Sequence, residues 1–111
     1  MTTPTTVDVL NRMKELVDAG WCQRAYARNE HGEAVAQFSP KAIEFCLTGA
    51  QDRAIEELCP EEIAYHVSGL IISCVPEPFD GFRVSFNDAL TTKKKDVIAV
   101  IECAIRKAQA K

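Results

Sequence analysis

Residues 39–58, SPKAIEFCLTGAQDRAIEEL, constrain the fold more than any other stretch of the chain. Ser39 can accept hydrogen bonds from the free amides that open a helix, and Pro40 suits the first turn, where its missing N–H costs nothing. Downstream, Ile43, Cys46, Leu47, Ala50, Ala54 and Leu58 fall on one helical stripe, while Gln51, Asp52, Arg53, Glu56 and Glu57 can face water. The pattern predicts a long helix over 40–58 at the centre of the core. Gly49 interrupts it at a cost of about 1 kcal/mol relative to Ala, and with Ala50 leaves a flat spot that another backbone or a ligand can approach.

The same period and punctuation predict three more helices, near 5–19, 60–74 and 92–109. The first places Val9, Met13, Leu16 and Val17 on one face, with Thr5 as its cap, Asp8 at the positive helix end and Gly20 closing it in a left-handed conformation. Pro60 separates the second helix from the third, which opens on Glu61 and Glu62 and runs on Ile63, Val67, Leu70, Ile71 and Cys74. Thr91 or Thr92 caps the last, whose stripe is Val97, Ile101, Ala104, Ile105 and Ala108.

Between the first two helices the helical period is lost, and Asn29-Glu30-His31-Gly32 reads as a turn joining two short extended segments, with Gly32 supplying a positive φ. Phe82, Val84 and Phe86 alternate with polar residues, as in a strand or extended loop. The expected fold is therefore mainly α, with α+β as the variant: about four helices around one core and a small β-hairpin between helices 1 and 2. At 111 residues the chain has the size of one domain, 1–111.

A formal charge of −3 gives no general attraction to nucleic acid or anionic lipid, and no apolar run approaches the length of a membrane span. The Thr-rich start lacks the basic and apolar regions of a signal peptide, so the expected location is cytoplasmic. Five cysteines, Cys22, Cys46, Cys59, Cys74 and Cys103, form an odd set without a CxxC pair, which predicts five reduced thiols filling the core and no metal site.

Three groups of residues carry a family resemblance: Trp21 with Ala27-Arg28-Asn29 and Gly32, then Phe45-Cys46 with Gly49-Ala50, then Phe86-Asn87-Asp88. Together they resemble an uncharacterised bacterial and phage domain-of-unknown-function family. The resemblance implies a shared single-domain fold and no specific chemistry. The family pattern often has Asp in the place of Asn29 and Trp in the place of Phe86, and an Asp/Asn exchange suits a turn-forming side chain better than a catalytic base.

No catalytic set, cofactor or metal ligand group is predicted, and His31 and His66 lie on separate elements. The candidate ligand-binding residues are Trp21, Arg28, Asn29, Asn87, Asp88, Lys93, Lys94 and Lys95, the lysines being three cations set against the positive end of a helix. Arg28 and Asp88 are expected to pair, tying the hairpin to the loop before the last helix, with Asn29 and Asn87 bonding local backbone. The function favoured is a non-enzymatic protein-interaction or regulatory module, with an unknown protein or a homo-oligomer as partner. The alternative is a binder of, or enzyme acting on, an anionic small molecule held by Arg28 and the lysines.

Overall fold

The computed structural model describes residues 4–58 and 62–110. Among them the order is α1 (Thr6–Ala19), β1 (Ala27–Arg28), β2 (Ala34–Val35), β3 (Glu44–Phe45), α2 (Leu47–Leu58), α3 (Ala64–Cys74), α4 (Arg83–Asp88) and α5 (Lys94–Gln109). The fold is mainly helical with a small antiparallel sheet. Helix α1 packs against α5 and α2, α5 also packs against α3, and β3 rests on α1. The fully buried side chains Leu10, Met13, Leu47, Val67, Ile71 and Ile101, contributed by α1, α2, α3 and α5, belong to one apolar cluster. None of the described helices is long and apolar enough to cross a membrane.

Helix α1 begins as its sequence predicts: Asp8 N–H donates to Thr5 Oγ1 (3.1 Å) and Thr5 N–H donates to Asp8 Oδ2 (2.8 Å), a reciprocal cap. Its end differs. Gly20 has φ −173° and is extended, and what demands glycine there is space, because a Cβ would press on the Ile43 carbonyl.

The hairpin turn is present, with Gly32 at φ +77° and Asn29 Oδ1 accepting from His31 N–H (2.9 Å) and Glu33 N–H (3.0 Å). Strand β1 pairs with β2 in the register Ala27 to Val35 and Arg28 to Ala34, and on its other edge with β3, Ala27 to Phe45 and Arg28 to Glu44.

That third strand overturns the expected helix start. The amides of Ile43, Phe45 and Cys46 donate to the carbonyls of Arg28 (2.9 Å), Gly20 (2.9 Å) and Tyr26 (3.1 Å). Sheet pairing thus claims the N–H groups that a helix beginning at Pro40 would have used. Ser39 Oγ instead accepts from Lys41 N–H (3.1 Å), closing a local turn, and Ile43 is exposed. Helix α2 starts at Leu47, after Cys46. Gly49 does create a close approach, but to a loop: a Cβ there would collide with the Tyr26 carbonyl oxygen.

Two further expectations change. Phe82, Val84 and Phe86 do not form a strand; among the described residues the sheet consists of β2, β1 and β3 alone. Phe86 N–H donates to Phe82 O (3.0 Å) and residues 83–88 make a short helix that buries Phe86 and leaves Phe82 exposed. Neither Thr91 nor Thr92 caps α5; Lys93 does, its N–H donating to Asp96 Oδ2 (2.8 Å). The predicted boundary at Pro60 and the opening acid Glu61 lie outside the described residues, as does Cys59.

The cysteines are not all reduced: Cys74 on α3 and Cys103 on α5 form a disulfide with Cα atoms 6.1 Å apart. Each stands where its helix faces the other, which spacing along the chain cannot reveal. Cys22 and Cys46 are free and buried.

Polar bonds between α1 and α2 add a pH-dependent contribution. Arg12 Nε donates to Glu57 Oε1 (2.6 Å) and Arg53 Nε to Glu57 Oε2 (3.0 Å), and the Arg12 bond, more than that of Arg53, holds the Glu57 carboxyl below its ordinary pKa. A depressed carboxylate stabilises the fold above its unfolded pKa of about 4.3, and that contribution is lost as pH falls through the lower folded value. Acid unfolding of Glu57→Gln should therefore be less steep below about pH 4.5, with a loss at neutral pH of about 1 kcal/mol. Equal slopes for the variant and the wild-type chain in that range would contradict this.

Candidate functional site

Asn87, at the end of α4 and 1% exposed, is the point where the segment after α1 meets the start of α2. Its Oδ1 accepts from Trp21 Nε1 (2.8 Å) and from Leu47 N–H (3.0 Å), while its Nδ2 donates to Cys22 O (3.1 Å). Leu47 N–H is one of the free amides at the start of α2, so part of the helix cap comes from forty residues away in sequence. Cys46 supplies another part: Gly49 N–H donates to its Sγ (3.2 Å). Gln23 Nε2 reinforces the junction by donating to the carbonyls of Asn87 (2.9 Å) and Ala89 (3.0 Å).

Arg24 occupies the left-handed region at φ +63°, a conformation that costs a non-glycine residue about 1 kcal/mol or more. Its backbone N–H donates to Asp88 Oδ1 (2.9 Å), and the same oxygen accepts from Asn87 Nδ2 (3.0 Å). The expected Arg28–Asp88 pair is therefore replaced. Arg28 donates instead to the carbonyls of Gly32 (2.9 Å) and Gln23 (3.0 Å), so it braces its own hairpin. The tie between the hairpin region and the segment before α5 exists, but Asn87, Gln23 and the Arg24 backbone make it.

Of the candidate residues, Trp21, Asn87 and Asp88 come together. Asn29 stays in the hairpin turn, and its Nδ2 reaches Glu33 Oε1 (3.1 Å). Lys93 and Lys95 are exposed at the start of α5, and Lys94 Nζ donates to Asp18 O at the end of α1. Beside Asn87 opens a cavity of about 320 Å³ lined by Arg24, Tyr26, Cys46, Val84, Asn87 and Asp88. Neither Arg28 nor the three lysines line it.

Tyr26 and Val84 also line a second, larger hollow of about 490 Å³ with Thr48, Ile72, Asp80 and Phe82, an open trough next to the first. Thr48 Oγ1 is the single buried side-chain polar atom among the described residues with no hydrogen-bond partner. Sequence reasoning missed Gln23, Arg24, Tyr26, Thr48, Ile72 and Val84. No local pattern marks them, since their convergence depends on how α3 and α4 approach the segment before the hairpin.

Burial pushes the Cys22 thiol up to about 12, with nearby Cys46 adding to the effect. Burial also raises Cys46, partly offset by the Gly49 and Thr48 amides that bond its sulfur. Both are thus held as neutral thiols at physiological pH, and each should react with iodoacetamide far more slowly in the native chain than after unfolding. Fast native alkylation of Cys46, followed by mass spectrometry, would contradict this. Among the described residues, no three His, Cys, Asp or Glu side chains gather as a metal ion requires.

A model of a family of unknown function, DUF6197, matches residues 1–107 of the chain. No curated protein and no solved structure matches it.

Proposed function

The chain belongs to DUF6197, a family of unknown function, and on that premise we propose that it is a single-domain, non-enzymatic protein-interaction module whose binding face is the trough bordered by Tyr26, Ile72, Phe82 and Val84. The observation that carries this reading is the exposure of these four large apolar side chains around one hollow. Scattered exposed apolar residues are ordinary, whereas a contiguous patch around a concavity marks a surface made to be covered. Aromatic residues are also the side chains that interfaces favour.

The reading as a site for a small anion draws less support from the same surface. Arg28 spends donors on two backbone carbonyls and Lys94 on a third, so two of its four cations already serve the fold.

A photo-crosslinking residue placed at Phe82, with a control at Glu102 on the charged face of α5, tests this in the native cell. Discrete protein adducts at position 82 and none at 102 are expected. Adducts at neither position, or equally at both, would overturn the reading.

A further inference from the structure

Helix α3 is the odd one among the long helices. Helices α1, α2 and α5 carry five, four and six charged residues, whereas Ala64–Cys74 contains no Asp, Glu, Lys or Arg. Yet α3 is not enclosed: Tyr65 is 89% and Ile72 42% exposed. An exposed helix of a globular protein ordinarily turns charged residues to water. Between these two side chains, one turn from each and on the same face, stands Gly69. Among the described residues a Cβ at Gly69 would meet nothing within 4 Å, so no contact with them demands glycine there, although it weakens the helix.

Building on the interaction reading above, we infer that the partner is a second copy of this chain, its α3 crossing the first antiparallel at Gly69. The spacing is self-complementary. With Gly69 against Gly69, Tyr65 of each copy lies over Ile72 of the other and covers the hollow beside it. The missing Cβ lets the two helix backbones approach. A two-fold axis uses the same patch twice, so each contact forms twice.

Charge and area agree. Each copy carries −3, and two such chains associate most readily where charge is sparse: α3 brings none to the crossing, and Asp80 and Arg83, which line the hollow, are of opposite sign. Ile72 with Phe82 at 67%, Tyr26 at 51% and Val84 at 50% exposure border the hollow, and Tyr65 extends the apolar surface along the same face of α3. At ~150–250 Å² per aromatic side chain, this patch offers roughly 500 Å² per copy, about the 1,000 Å² in total at which specific interfaces begin. A reversible dimer of modest affinity follows.

Sedimentation equilibrium of the purified chain from low to high micromolar concentration tests it. The wild-type chain should pass from monomer to dimer. Gly69→Glu, which puts like charges at the crossing, should remain monomeric, while its Tm is unchanged or higher because glutamate favours the helix. Tyr65→Ala and Ile72→Ala should each weaken the dimer about tenfold, since they remove the two apolar contacts beside the crossing. A wild-type chain that stays monomeric throughout, or a dimer that survives both Gly69→Glu and Tyr65→Lys, would overturn the inference. If the chain is monomeric but crosslinks to a different protein from position 82, the interaction reading stands and the self-association fails. If it is monomeric and makes no adduct, both fail.

Discussion

Asn87→Ala is expected to destabilise the fold by about 4 kcal/mol, because truncation strands three groups at once, two of them in buried bonds. Trp21 Nε1 and Leu47 N–H lose their acceptor and Cys22 O loses its donor. Each unsatisfied buried group costs about 1–3 kcal/mol. The Tm should fall by roughly 20 °C for a chain of this size. Trp21 is the sole tryptophan, so its fluorescence reports the junction directly. In the surviving native state its emission should change, since the indole N–H has lost its partner. A stability loss below about 1 kcal/mol would show that the Asn87 contacts can be replaced by neighbours or solvent.

The second large effect concerns the bond between α3 and α5. Cleaving Cys74–Cys103, which are separated by 29 residues, should lower stability by about 3.5 kcal/mol, through the freedom returned to the unfolded chain. The comparison is urea unfolding with and without reductant, alongside a Cys74→Ala, Cys103→Ala double variant that should be insensitive to reductant. Alkylation of the denatured, unreduced chain should leave Cys74 and Cys103 unmodified. An unfolding midpoint unmoved by reductant, with both cysteines alkylated, would mean that they are thiols. The two effects should add, because the bonds of Asn87 run to Trp21, Cys22 and Leu47 while the disulfide joins the end of α3 to the middle of α5, with no partner in common.

How far the sequence could be read follows from the range of each interaction. The cap of α1 is written within four residues, Thr5 to Asp8, and the hairpin turn within Asn29 to Gly32, so both were legible. The apolar stripes of α1 and α5 placed Val9, Met13, Val17, Val97 and Ile101 in the core, where they are fully buried. Local signals failed where a distant segment competed for the same groups. Ser39-Pro40 is a sound helix start by itself, but the carbonyls of Gly20, Tyr26 and Arg28 captured the amides that followed and delayed α2 to Leu47. Alternation at Phe82, Val84 and Phe86 suggested a strand where residues 83–88 instead form a short helix.

For the site, residue type was informative and pairing was not. Trp21, Asn87 and Asp88 stood out as unusual side chains, and they do converge, yet Asp88 holds the Arg24 backbone rather than the Arg28 guanidinium. An arginine side chain has many acceptors within reach once the chain is folded, and the nearer carbonyls of Gln23 and Gly32 required no distant partner. Period, punctuation and composition by themselves determined a mainly helical fold with its hairpin, because those depend on neighbours a few residues apart. Only the tertiary structure decided which cysteines bond, which asparagine caps α2, and that Tyr26, Ile72, Phe82 and Val84 share one open trough. Each of these joins residues that are distant along the chain, and no local propensity carries information about such a meeting.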